Sequence, residues 1–425
     1  MSGGGSTDGT GDPADRAMEL ADRARENPGA VDPEQLRELL DDDSSRARWY
    51  AIQALRTAAS SGTVDLSTFV DQFVRELDGD ESRVRGSAAS ALADVAARTP
   101  TAAVDAVDEM ASLLETDEGL SRTTAADFFH QLAEASHDPD SDVGPEVVEP
   151  AISGLRSLLE DSTQRGTAIQ ILGAVADRYG DRIVADTETF LEAFGEQAGN
   201  GIEMNTRNVD NRGAKEKLRE LNDTAKTRER GIRIAAGEAL VGIARADPDR
   251  LRSEIPRLAE YVDGPTTAVR SITLELFEVV GAEHPETVEP YLDDIGERLE
   301  DGDGVRERAV LALTAVSQSN PEGVAGAFEP HHDALVDLLD HPVPTVRGAA
   351  VGLLSYLAEE SPETVAPGRI RPMLDDEHAY VRGNAVWTLG YLGDEAATER
   401  IRELVESDPD PDVRSAADAA LDRLQ

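Results

Sequence analysis

Apolar positions along this chain recur at the spacing of one face of a helix, clearest in Val381-Arg382-Gly383-Asn384-Ala385-Val386-Trp387-Thr388-Leu389. With Val381 as position zero, apolar or small residues fall at zero, four, and seven or eight. At ~100° per residue these make a single helical stripe with an arginine beside it. The same pattern returns as Val84-Arg85 with Ala88, Ala91 and Leu92, and as Ile232-Arg233 with Ala236, Ala239 and Leu240. It returns again as Val305-Arg306 with Ala309, Ala312 and Leu313, and as Val413-Arg414 with Ala417, Ala420 and Leu421. Looser copies surround Arg48, Arg122, Arg165, Arg270 and Arg347. The spacings between these ten arginines are 37, 37, 43, 68, 37, 36, 41, 35 and 32 residues, so one gap alone breaks the rhythm. A fixed period in this range signals a repeat array, in which each unit buries its stripe against its neighbours and no central core is needed.

Each unit is expected to pair a first helix with a second that carries the arginine. Pro145-Glu146, Pro285-Glu286, Pro321-Glu322 and Pro362-Glu363 give the start signals of first helices. Proline loses nothing in the first turn, and glutamate there meets the positive end of the helix dipole. Acidic turns join the two helices: Asp41-Asp42-Asp43, Asp78-Gly79-Asp80, Asp301-Gly302-Asp303, Asp375-Asp376 and Asp408-Pro409-Asp410. Their aspartates are placed to cap the second helix and to face the arginine one turn later, in pairs worth about 0–1 kcal/mol if partly exposed. The ten arginines are therefore read as a structural ladder that fixes register.

At this point the chain resembles the HEAT-repeat proteins, of the short-repeat kind found in phycobilin lyases, over roughly residues 33 to 424. Asp-x(n)-Val-Arg-x-x-Ala-x-x-Ala-Leu is the family signature. Departures are Thr273 where the first alanine is usual, Phe128-Phe129 for Ala-Leu, and Thr227 where an acidic residue should precede Arg233. The resemblance implies an all-α fold, a right-handed superhelix of about ten antiparallel helix pairs in the HEAT and armadillo manner. It also implies arginine-bearing helices on the concave side and a role in holding other proteins. In this reading residues 1–12 are a flexible leader, 13–30 an N-terminal capping helix with Ala17, Leu20, Ala21 and Ala24 on one side, and 31–425 the array.

The long gap holds an insertion at about 198–229, opened by Gly199-Asn200-Gly201, in which 213–229 is expected to form a polar helix before the arginine helix begins near Arg230. All three lysines of the protein, Lys215, Lys217 and Lys226, lie there beside Arg219. Long loops inside compact domains are often functional. These residues are candidates for contact with an acidic partner; docking on the acidic body of the same chain, or plain flexibility, are the alternatives.

Charge adds a second layer. The chain carries 85 acidic and 41 basic residues, a formal net charge of -44, and no cysteine. Self-repulsion of that size works against a compact state unless salt screens it, and salt-adapted proteins use this composition. High aspartate plus glutamate, scarce lysine and abundant alanine point to the cytoplasm of a halophilic microbe, the lack of cysteine excludes disulfides and thiolate metal sites, and no apolar run approaches the ~18 residues of a membrane span.

Chemistry is not signalled. The HEAT-like deoxyhypusine hydroxylases hold iron through His-Glu dipeptides, which this sequence lacks, and the adjacent His331-His332 point ~100° apart on a helix, a poor chelating geometry. Neither a phosphate-binding glycine loop nor a nucleophile elbow appears. No cofactor and no catalytic or metal-binding residue is expected. Nucleic acid, bound by some HEAT-like glycosylases, is disfavoured by the negative charge, which repels a polyanion. A protein partner is expected, with a HEAT-like enzyme subunit (lyase-like or hydroxylase-like) and a nucleic-acid-associated factor as the alternatives.

One row of the second helices bears on that partner. Position six, ~240° from the core stripe, holds Gln53, Ser90, Asp127, Gln170, Glu238, Glu275, Leu311, Gly352, Trp387 and Ala419. The first six are polar and the last four are not. Trp387 and Leu311 are thus candidates for partner docking, since tryptophan is favoured at binding hot spots; burial between neighbouring helices is the alternative. Asp418, Asp422 and Arg423 give the last helix a polar face, as a terminal repeat requires.

Overall fold

The structure, a computed structural model, describes residues 12–116, 119–195 and 212–424. The expected leader and the first part of the insertion lie outside the described residues. Among those described there is helix and turn and no strand, and each of the ten arginines sits on its own helix. We number these helices α1 (Ser45–Ser60), α2 (Ser82–Arg98), α3 (Leu120–Ala135), α4 (Arg165–Ala174) and α5 (Arg212–Ala246). The remaining five are α6 (Thr267–Glu283), α7 (Asp303–Ser317), α8 (Pro344–Glu360), α9 (Ala379–Tyr391) and α10 (Pro411–Arg423). The fold class is the expected one, all-α helix-pair repeats of the HEAT and armadillo solenoid type.

The chain forms two compact units, residues 1–239 and 240–425, divided within α5. In the first, a helix over Pro13–Glu26 buries Ala17, Leu20, Ala21 and Ala24 and packs on α1, after which α1, α2, α3 and α4 pack in sequence. In the second, α6 through α10 pack each on the next. The stripe residues make the core: Val84, Ala88, Leu92, Val305, Ala309, Leu313, Val381, Ala385 and Leu389 are all buried. Phe128 and Phe129, the departures from Ala-Leu, are fully buried, and Thr273 satisfies its hydroxyl on the Val269 carbonyl 2.9 Å away. Aliphatic stripes of this kind supply the stabilisation, at about 1.5–3 kcal/mol for each large aliphatic side chain removed from water.

Most first helices depart from expectation, Pro33–Leu40 being unbroken. They are broken into short α and 3-10 turns, such as Pro285–Val288, Glu289–Tyr291, Leu292–Glu297 and Arg298–Glu300. The start signals are real, but a second proline follows: Pro150 after Pro145, Pro290 after Pro285, Pro330 after Pro321 and Pro372 after Pro367. Proline has no N–H to donate and its ring clashes with the carbonyl four residues back, so these four first helices bend there, while those broken at Val104 and Val184 bend without a proline at the break. After Pro362 only a 3-10 turn forms, and the α-helix starts at Pro367.

The insertion also differs. No break separates a polar helix from the arginine helix near residue 230, because α5 runs unbroken from Arg212 to Ala246. No proline occurs between Pro150 and Pro248, and the residues before Arg230 are good helix formers, so propagation carries straight through Gly231.

Candidate functional site

The arginine ladder is built from the backbone outward. A short first helix ends in carbonyls with no helical partner. The Nη1 of Arg48, Arg85, Arg270, Arg347, Arg382 and Arg414 donates to the carbonyl six residues earlier, at distances from 2.6 to 2.9 Å. Each arginine thus closes the turn that precedes its own helix. Its carboxylate partner is not in that turn, contrary to the sequence expectation. Arg270 Nε reaches Asp301, Arg347 holds Asp376 and Arg382 holds Asp408, each acid belonging to the turn of the following pair. Arg48 meets Glu76, and Arg165 meets Glu192, in the first helices of the following pairs. Arg122 donates to Ser157, again one pair on. The side chain leaves the N-terminal end of its helix toward the next first helix, so its own turn offers it carbonyls and the neighbour offers it charge.

From α8 to α10 the result is continuous. Asp376 accepts from Arg347 on its carboxylate and from Arg382 on its carbonyl, and Asp408 stands in the same way between Arg382 and Arg414. Arg382 and Asp408 are buried, at 8% and 5% exposure, so the pair is not the exposed, weak contact expected. Hydrogen bonds from Arg382 hold the Asp408 carboxyl below the ordinary range, and Arg371, bound to both oxygens of Asp394 at 2.7 Å, does the same there. Arg306 is different: its Nε donates to the Leu299 carbonyl at 2.8 Å. Arg233 lies in mid-helix, has no turn before it, and packs its guanidinium 5.5 Å from the centre of the Phe194 ring.

The position-six row behaves as an open side, since all ten residues are half-buried or exposed. Leu311 and Trp387 are not brought together. Between α7 and α9 stands α8, whose position-six residue is Gly352, and a Cβ there would meet Asn384 Nδ2 at 2.9 Å. Asn384 donates to the Gly348 carbonyl at 2.8 Å and Thr388 to the Val351 carbonyl at 3.2 Å, drawing α9 close against α8. On that base Trp387 and Tyr391 lie with ring centres 6.3 Å apart. Glu359 and Tyr356 lie near Tyr391, and burial, then the Glu359 charge, push its phenol above the ordinary value. Earlier on this side the row is charged: Glu275 lies between Arg245, at 2.5 Å, and Arg308, at 3.0 Å, and Arg308 reaches Glu278 at 3.3 Å.

Trp49, which the sequence reading passed over, is half-buried with Arg83 of α2 3.8 Å over its ring centre. Its signal was available, since Arg83 stands one before the stripe of its helix and Trp49 two after the stripe of the preceding one. In the insertion, Lys217 is exposed and Lys226 half-buried, while the side chains of Lys215 and Arg219 lie outside the described residues. Around them Leu221, Arg228 and Arg230 are exposed. His331 and His332 turn to different partners, Glu300 and the Glu329 carbonyl, and among the described residues no three acidic or histidine side chains gather as metal ligands.

With this geometry established, comparison with known proteins adds family and fold. Residues 332–422 match the profile of HEAT repeats and residues 303–357 that of a HEAT-like repeat. This stretch carries HEAT repeats. The matches fall on α7 to α10, which include the continuous part of the ladder, α8 to α10. Among solved structures, an engineered protein is 18% identical with a TM-score of 0.61, covering 97% of this chain and 99% of its own. A structure from a study of a phosphorylation switch in the interaction between cadherin and beta-catenin is 13% identical with a TM-score of 0.58, covering 97% and 96%. At such identities the likeness is one of fold. No curated protein matches the sequence. No described helix is long and apolar enough to cross a membrane.

Proposed function

We propose that the protein is a non-enzymatic scaffold that binds a protein partner on the open side of its arginine helices. The observation that carries this reading is the continuity of that side in the second unit. Charged pairs on α6 and α7 are followed by an aromatic group on α8 and α9, each supplied by a different repeat. An extended row of contacts from successive helices suits an elongated protein surface, and it lacks the convergent polar groups of a reaction pocket. The fold neighbour drawn from work on the cadherin and beta-catenin interaction is consistent with it. The exposed basic stretch of α5 is a second contact for an acidic partner, and nucleic acid is disfavoured by the net charge of -44. A salt-rich cytoplasm suits that charge and the lack of cysteine.

Photo-crosslinking tests the reading directly. A photoreactive residue placed at Leu311 or Trp387 should yield protein adducts in a native high-salt extract, and one at Glu297 on a first helix should not. Equal yields from both sides would overturn it.

A further inference from the structure

Trp387 and Tyr391 already carry a cation that the chain itself supplies. The Arg423 guanidinium lies 5.8 Å from the Trp387 ring centre and 4.5 Å from that of Tyr391. A guanidinium over aromatic faces is held by the ring quadrupoles, most strongly where water is partly excluded. Gly390 lets α10 lie close against α9, since a Cβ there would stand 3.1 Å from the Ala420 Cβ. Glu359, whose charge acts on the Tyr391 phenol, places a carboxylate beside the rings. Arg423 itself is exposed, in the last turn of α10, so little packing is lost when it swings away.

We infer that the rings of Trp387 and Tyr391, with Glu359 beside them, form a docking site for an arginine or lysine side chain of a basic protein segment, whose place Arg423 keeps in the unbound chain. The inference rests on the scaffold reading and names the chemistry of the partner. Charge complementarity selects this occupant: a body of net charge -44 draws a basic segment from a distance, and the rings reward a cation at contact. An acidic segment meets repulsion, and an apolar one gains nothing from the charge.

The test uses the full chain with Trp49→Phe, so that emission reports Trp387 alone, titrated with a hexa-arginine peptide at several salt concentrations. A saturable change in Trp387 emission is expected. By calorimetry, Trp387→Ala should weaken binding about three- to tenfold, and Arg423→Ala should strengthen it about two- to fivefold by removing the internal competitor. Circular dichroism identical to that of the parent confirms that each variant is folded. Equal affinity of the parent and Trp387→Ala would reduce the binding to diffuse charge and overturn the site. Unchanged or weaker binding by Arg423→Ala would overturn the placeholder. If the peptide results fail while adducts still form at position 387, the cation site is wrong and the scaffold stands; if those adducts are also missing, the scaffold reading falls with it.

Discussion

Arg382 grips Asp408 with two hydrogen bonds of 2.8 Å, from Nε and Nη2 to the two carboxylate oxygens, across the junction between α9 and the last helix pair. Both side chains are buried, whereas in the equivalent pair Arg270 and Asp301 the side chains are 22% and 24% exposed. Losing one partner of a buried pair strands the other charge away from water. Asp408→Ala should therefore cost about 3–5 kcal/mol in denaturant unfolding, and Asp301→Ala only about 1 kcal/mol. Similar losses at the two sites would show that burial does not set the strength of the ladder.

Acid should loosen the same end first. Asp394 and Asp408 have folded-state values below the ordinary carboxylate range, because Arg371 and Arg382 bond their charged forms. Their contribution is fully present above the unfolded value near pH 4 and is lost as pH falls through the lowered folded values. Glu278, pushed up mainly by burial, runs the other way and costs stability as pH rises through its raised value. Thermal melts from pH 6 to 2 should show a steep acid limb that Asp394→Asn with Asp408→Asn flattens.

Close helix contacts make a different demand. A Cβ at Gly296 would overlap the Ala327 carbonyl oxygen, while at exposed Gly326, inside the helix Pro321–Phe328, it would meet nothing within 4 Å. Gly296→Ala should destabilise by about 1–3 kcal/mol, since backbone and not a flexible side chain must give way. Gly326→Ala should stabilise by about 0.5–1 kcal/mol through helix propensity. Denaturant midpoints moving in the same direction for both would contradict the packing described.

Salt should act on the whole chain. With a net charge of -44, repulsion among acidic groups reaches over ~10 Å at 0.1 M salt and ~3 Å at 1 M. Helical circular dichroism should weaken in dilute buffer and recover toward molar salt. A signal that does not change over this range would remove the salt-adapted reading.

The ten arginine helices were legible because a stripe of period 3.6 survives in sequence, down to the burial of Val381, Ala385 and Leu389. The bend of the first helices was legible too, since Pro290 and Pro372 stand in plain view, but a helix-start signal drew the attention their neighbours needed. The direction of the ladder was not. Arg347 has acids on both sides in sequence, Asp340 seven before and Asp376 twenty-nine after, and only the packing of one pair on the next decides for Asp376. The same holds for the cation over Trp387, which comes from the neighbouring helix at a spacing that no local pattern marks.

The one-way bonding of the ladder has a bearing on how such a chain changes length. Arg347 and Arg382 each close their own turn and point ahead to an aspartate of the same kind. Excising residues 347–381 joins Val346 to Arg382, whose aspartate ahead is untouched, and takes Asp376 out together with Arg347. Within the ladder no guanidinium and no carboxylate is orphaned by the cut, while beside it the excision takes Arg371 away from Asp394. Gene duplication or loss in whole modules can then lengthen or shorten the array in register, with the seam sealed by the bonds that seal every other junction.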